Sequence, residues 1–257
     1  GAVISIEPQT GYVEIINQVR TGGKGKGAVG AYRQAGKINT FLVSGTCKNI
    51  EGPFAVAVER PGAFFGFVLA ENLKKAGINI TGRLLEKSLE KGQKITPLTE
   101  FHTQIAECMA RCNKDSLGLA AESLLKTMAA KSHSDGKNGS WAAGQQIIRN
   151  YLKTAGVSEQ EFNIDDGSGL SRENRLSASA ITKVLRGIYN SKNWGLYKNS
   201  LAVAGQDGTI ARYFKEKKYN GRIFGKTGYL SRVKAFSGVC STDKGDYIFS
   251  ILTNDAG

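Results

Sequence analysis

Lys226, Thr227 and Gly228 join a fixed positive charge, a hydroxyl and a missing side chain within the run Arg222-Ile223-Phe224-Gly225-Lys226-Thr227-Gly228-Tyr229-Leu230. Placed on one strand, that trio suits the holding of a peptide carboxylate. The ammonium favours an anion, the hydroxyl adds direction, and the glycine lets a substrate backbone come close where a β-carbon would hinder it. The bland alternative is a strand end in a chain rich in Lys and Gly. Two further stretches carry groups capable of chemistry, Asn113-Lys114-Asp115-Ser116-Leu117-Gly118-Leu119-Ala120-Ala121-Glu122 and Asp166-Gly167-Ser168-Gly169-Leu170-Ser171-Arg172-Glu173-Asn174. Ser116 stands at a predicted helix start, where its hydroxyl could cap free backbone donors, a place that Asp115 could fill equally. The Asp166 stretch reads as a glycine-permitted turn capped by Asp166. Asp166-Gly167-Ser168 is not part of a hydrolase triad, because neither His102 nor His133 has a matching setting.

The elements that must position these residues are read from periodicity. The first sixty residues predict strands at Ala2 to Ile6, Gly11 to Val19, Thr40 to Ser44 and Phe54 to Val58, an antiparallel β module. Phe65, Val68, Leu69, Leu73 and Ala76 then form a helical stripe that stops at Gly77, with a strand expected near Ile78 to Leu85. Helical periodicity governs the middle of the chain. Ile105, Cys108, Met109 and Cys112 share one helix face, and Leu117, Ala120, Ala121, Leu124, Leu125 and Met128 share the next. A loop from Ser132 to Ser140 leads to a helix carrying Ile148, Tyr151, Leu152 and Ala155, and another runs from about Ser177 to Tyr189. Strands return at Arg222 to Thr227, Val233 to Cys240 and Tyr247 to Thr253, with turn chemistry at Asp243-Lys244-Gly245, so the end of the chain predicts an antiparallel meander.

Composition bounds the function. The 257 residues can bury a substantial core in one or two domains, and the net charge of +13 favours polyanionic surroundings such as nucleic acid, anionic lipid or acidic wall polymers. No nucleic-acid-binding signature accompanies the charge, and Lys215-Glu216-Lys217-Lys218 and Gly22 to Gly27 read as solvated segments. Gly22 to Gly27 also lacks the strand and helix of a phosphate-cradling loop. No apolar stretch approaches the roughly 20 residues that span a bilayer. Cys47, Cys108, Cys112 and Cys240 lack zinc-ribbon spacing, and Cys108 and Cys112 read as two small hydrophobes on one helix face. Neither a metal nor another cofactor is implied.

Together with Ala204-Gly205-Gln206-Asp207-Gly208-Thr209, and with Pro8-Gln9-Thr10-Gly11-Tyr12-Val13, Val43-Ser44-Gly45-Thr46 and the segment from Pro53 to Ile78, these motifs resemble the penicillin-binding D-alanyl-D-alanine carboxypeptidase/endopeptidase family, peptidase S13. Penicillin-recognising serine enzymes combine a Ser-x-x-Lys nucleophile, a Ser-x-Asn motif and a Lys-Thr-Gly strand. The resemblance places the first of these upstream of the residues given, and the Ser-x-x-Lys strings that begin at Ser88, Ser123, Ser134, Ser231 and Ser241 read as chance. The expected fold is α+β: a β-lactamase/transpeptidase-like catalytic domain with part of a β-rich inserted domain. Residues 1–98 would close the insert, and residues 99–257 would form the carboxyl-terminal part of the catalytic domain.

The resemblance implies roles as well. Ser116 would bridge the nucleophile and the lysines and relay a proton to the leaving amine, alongside Lys226. Thr227 and Gly228 would bind substrate with Lys226, the Tyr229 N–H would be one oxyanion donor, Ser231 would face the acyl side, and Gly169 and Leu170 would border the cleft. Gly118 departs from the pattern, which carries asparagine there; losing one positioned polar group from an acyl-transfer site costs about 10²–10³ in rate. The expected partners are peptidoglycan stem peptides and β-lactams, with no nucleic acid, in an extracytoplasmic setting, the bacterial periplasm. The rival reading is a non-catalytic wall-binding or scaffolding protein that keeps the fold, and a third is nucleic-acid binding through the +13 charge, which predicts salt-sensitive association.

Overall fold

Alternating β-branched and apolar residues form the first sheet. In the computed structural model, which describes residues 2–23, 28–88, 90, 92–132 and 139–255, β1 (Glu14–Thr21), β2 (Ala28–Arg33) and β3 (Thr40–Cys47) lie in the order β1-β3-β2. Phe41 and Val43 of β3 are buried, as expected for a central strand whose inward positions alternate. The sheet is mixed, since β1 runs parallel to β3 and β2 antiparallel to it. That corrects the expected antiparallel module, and β2 itself was not anticipated. Ala2–Ile6 and Phe54–Val58 form no strand and join no ladder, and neither does the segment near Ile78–Leu85. Ile4, Ile6, Val13, Phe41, Phe54 and Val58 instead line one apolar cavity. Alternation reports that one face of a segment is buried; it does not report pairing. Helix α1 (Pro61–Lys75) starts with Pro in its first turn, and Tyr12 packs against its Phe64 and Phe67 with ring centroids 5.5 Å away.

The chain divides into two compact units, Gly1–Pro97 and Leu98–Gly257. The second holds α2 (Ile105–Lys114), α3 (Gly118–Ser132), α4 (Trp141–Thr154), the short pair β4 (Phe162–Asn163) and β5 (Arg175–Leu176), α5 (Ala178–Tyr189), α6 (Trp194–Ser200), β6 (Ala202–Val203), β7 (Ile223–Leu230), β8 (Val233–Thr242) and β9 (Gly245–Asn254). Serine side chains start α4 and α5: Ser140 Oγ accepts from Ala143 N at 3.2 Å and Ser177 Oγ from Ala180 N at 2.9 Å. The meander is present as the antiparallel order β6-β7-β8-β9. Its core gathers Ala202, Ala204, Ile210 and Ile223 with Phe236, Cys240 and Phe249, while Leu152, Val157, Ile164 and Ala180 form a second cluster among the helices. All four cysteines are free and partly buried. No helix among the described residues is long and apolar enough to cross a membrane. His102 is exposed beside Glu100, whereas His133 and Lys24–Gly27 lie outside the described residues.

Candidate active site

Strand β7 carries Lys226, Thr227, Gly228 and Tyr229. On one side it pairs with β8 throughout its length, from Ile223 opposite Cys240 to Leu230 opposite Val233. On the other side β6 reaches only Phe224 and Gly225, so beyond Gly225 that side of β7 has no ladder partner among the described residues. An open strand edge can take the backbone of an extended peptide.

Ser116 meets this strand from the helical side. Helix α2 ends at Lys114, and Ser116 adopts a left-handed conformation with φ 54°, after which the Leu117 N–H closes back on the Arg111 carbonyl at 3.1 Å. Ser116 thus terminates α2 in a position usually given to glycine. The expected cap at the start of the next helix is corrected, because α3 begins two residues later and the Ser116 hydroxyl is engaged elsewhere. It accepts a hydrogen bond from Lys226 Nζ. Lys226 also donates to the Thr227 carbonyl at 2.5 Å, and no carboxylate pairs with it among the described residues. Burial pushes the Lys226 pKa below the ordinary lysine value, opposed in part by the neighbouring Cys112 thiol. Burial in turn pushes the Cys112 thiol up, offset in part by the Lys226 charge.

The third segment is the loop from Asp166 to Ser171. Asp166 Oδ1 accepts from Gly169 N (2.7 Å) and Asn174 Nδ2 (2.7 Å), and Oδ2 accepts from Leu170 N (3.0 Å), Ser171 N (2.7 Å) and Ser168 Oγ (3.2 Å). The Asp166-capped turn is therefore present, and Gly169 supplies its φ of 76°. Partial burial raises the Asp166 pKa, but these hydrogen bonds outweigh it and leave the carboxyl below its usual range. Glu122, on α3, takes the remaining amides, Gly167 N (3.2 Å) and Ser168 N (2.9 Å), together with the Trp141 indole N–H at 2.8 Å. Its pKa is likewise lowered, its hydrogen bonds overcoming desolvation. A β-carbon on Gly118 would stand 3.3 Å from Ser168 Cβ and 3.8 Å from Leu170 Cδ1, so the start of α3 and this loop touch. Arg172 completes the ring by donating to the Ser231 carbonyl at 3.0 Å, in the turn between β7 and β8.

The structure therefore brings Ser116 to Lys226, Gly118 to Leu170, and the Gly169–Leu170 loop to the turn that holds Ser231. Leu170 and Tyr229 are exposed at 64% and 75%, open to a ligand rather than buried in the core. Three residues in the quoted motifs, Glu122, Asp207 and Thr209, received no role from sequence. Asp207 Oδ1 accepts from Val203 N at 2.8 Å while Oδ2 pairs with Lys114, and Thr209 Oγ1 meets Thr227 Oγ1 at 2.8 Å. Their place inside motif strings was the available signal; apart from Val203, four positions from Asp207, their partners lie 18 to 93 positions away along the chain.

The family described as D-Ala-D-Ala carboxypeptidase 3 (S13) matches residues 2–257. A D-alanyl-D-alanine carboxypeptidase of Actinomadura sp. (strain R39) is 27% identical, with 98% of this chain aligned to 48% of that protein. The D-alanyl-D-alanine carboxypeptidase DacB of Haemophilus influenzae is 23% identical, with 82% of this chain aligned to 44% of that protein. The chain thus spans about half the length of these curated relatives. A crystal structure of penicillin binding protein 4 (dacB) from Haemophilus influenzae, complexed with a β-lactam, shares the fold at a TM-score of 0.64 and 21% identity, covering 96% of this chain and 58% of that one.

Proposed function

The chain belongs to the D-Ala-D-Ala carboxypeptidase 3 (S13) family, and from that premise we propose that the whole protein is a serine-type D-alanyl-D-alanine carboxypeptidase/endopeptidase that acts on peptidoglycan stem peptides outside the cytoplasmic membrane, in the bacterial periplasm, and is acylated by β-lactams. The observation that carries the reading is the contact between Lys226 and Ser116, which joins two motifs 110 positions apart. In this reading residues 1–98 belong to a β-rich inserted domain and residues 99–257 to the catalytic domain. The attacking serine is, in the same reading, that of the family's Ser-x-x-Lys motif.

The serine oxygen bonds to the penultimate D-alanine carbonyl carbon and gives up its proton to a base. The negative charge on the carbonyl oxygen is received by backbone N–H donors, one of them that of Tyr229. Ser116 passes a proton to the amine that leaves, the C–N bond breaks, and water then cleaves the acyl ester. Lys226 and Thr227 hold the terminal carboxylate, Gly228 lets the peptide backbone lie against β7, and Gly169, Leu170 and Ser231 border the acyl side. Gly118 supports a second reading, a wall-binding protein without turnover, since it brings no carboxamide to the site. Intact mass spectrometry of the whole protein before and after benzylpenicillin separates the two. A stable penicilloyl adduct supports the enzyme, and an unchanged mass leaves binding alone.

A further inference from the structure

Asp207-Gly208-Thr209 forms a turn between β6 and β7 that touches both halves of the site. Asp207 fixes the turn, with one oxygen on its own Val203 N–H and the other on Lys114, two residues before Ser116. Gly208 has φ 61°, and a β-carbon there would stand 2.6 Å from Ala202 Cβ and 3.0 Å from the Lys114 carbonyl oxygen, so only glycine lets α2 end this close. Thr209 and Thr227 are both half-buried, and the Thr227 hydroxyl donates to Thr209 Oγ1 at 2.8 Å. A hydroxyl has one proton and two acceptor lone pairs. A Thr227 that gives its proton to Thr209 cannot give it to a carboxylate. Reversing the pair removes the conflict: Thr209 donates to Thr227 Oγ1, and Thr227 turns its own proton outward.

We propose that Thr209 is a positioning residue for carboxylate recognition, holding Thr227 Oγ1 in place and taking over the donor role when an anionic ligand reaches Lys226 and Thr227. The inference rests on the carboxypeptidase reading and concerns only how the carboxylate is held. Thr209→Val keeps the shape of the side chain and removes the hydroxyl, whereas Thr209→Ser keeps the hydroxyl.

The test compares acylation of the whole protein by benzylpenicillin and by its methyl ester, which has no carboxylate. The unaltered protein should prefer the acid. Thr209→Val should reduce that preference about tenfold, the worth of one good hydrogen bond, while Thr209→Ser retains it. In a Thr227→Val background, Thr209→Val should change the preference no further, as expected if the two act as one unit. A residue with only a structural role would slow acid and ester together. Should Thr209→Val not fold, as judged by its thermal melt, Thr209→Ala is read in the same way. An acid-to-ester ratio unchanged by loss of the hydroxyl overturns the inference and leaves the carboxypeptidase reading standing. Absence of any penicilloyl adduct on the unaltered protein overturns that reading and the inference with it.

Discussion

Two regions hold residues of the candidate site by different physical means. Lys226 to Tyr229 are placed by a ladder, in which every residue of β7 has a partner on β8, so position is shared among many backbone hydrogen bonds. Gly167 to Ser171 have five consecutive backbone N–H groups that no ladder satisfies. Two carboxylates take all five, Glu122 the first two and Asp166 the last three. A ladder tolerates the loss of one side chain, whereas a loop centred on carboxylates depends on each of them. The strand's own weakness lies in how closely its backbones approach. Gly225 faces Gly238, and a β-carbon on Gly238 would come within 2.0 Å of the Phe224 carbonyl oxygen.

Gly238→Ala should therefore produce the largest effect. With a backbone carbonyl in the way, the sheet must distort, at a cost of about 3 kcal/mol, the upper end of ordinary overpacking. Thermal unfolding checks this, and amide exchange should rise across Lys226 to Tyr229. A melt like that of the unaltered protein would show that β7 and β8 are not as close as described.

Asp166→Ala should cost less, about 2 kcal/mol, because the freed amides lie near solvent and water can take them. Exchange should rise at Gly169, Leu170 and Ser171 and stay low on β7. Equal loss of protection in both regions would end the distinction between them. Gly118→Asn comes next, at about 1 kcal/mol, since its β-carbon needs Ser168 to yield by a few tenths of an ångström. Its mark should be a shift of the Ser168 and Leu170 resonances with those of Lys226 unmoved.

The same contrast explains what the sequence disclosed. β7, the final meander and the main helices were legible because periodicity follows from burial on one face, and the Asp166 turn was legible because aspartate and glycine act locally. The parallel pairing of β1 with β3 was not, since nothing in a strand's residues names its direction. The capping alternative for Ser116 did not hold, because a serine in the left-handed region at a helix end carries no distinctive pattern. Glu122, Asp207 and Thr209 act on partners far along the chain, so their types were visible and their duties were not.

The smallest effects expected are those of pH, and they separate the regions most finely. Asp166 has a depressed pKa, so the unfolded chain binds more protons between the folded value and the ordinary aspartate value near 3.9. The stability it contributes is present above that ordinary value and is lost as pH falls through the folded one. Glu161, drawn to about 2 by hydrogen bonds from Ser177 and Lys183, should titrate in acid as well. At the alkaline end, Lys226 also has a lowered pKa, through burial. Between its folded value and about 10.4 the unfolded chain again holds more protons, so stability rises with pH across that window. Cys112 has the opposite sign: its raised pKa leaves the folded chain more protonated above about 8.5, so stability falls there. A bulk melt against alkaline pH would mix these two slopes. Carbon-detected NMR titration of the Lys226 side chain resolves its own. Its midpoint should lie below that of an exposed lysine, and Ser116→Ala should lower it further, because the ammonium loses an acceptor. A Lys226 that titrates like free lysine in both proteins would mean that water, and not Ser116, receives its proton, and the link between strand and helix would fail at its central contact.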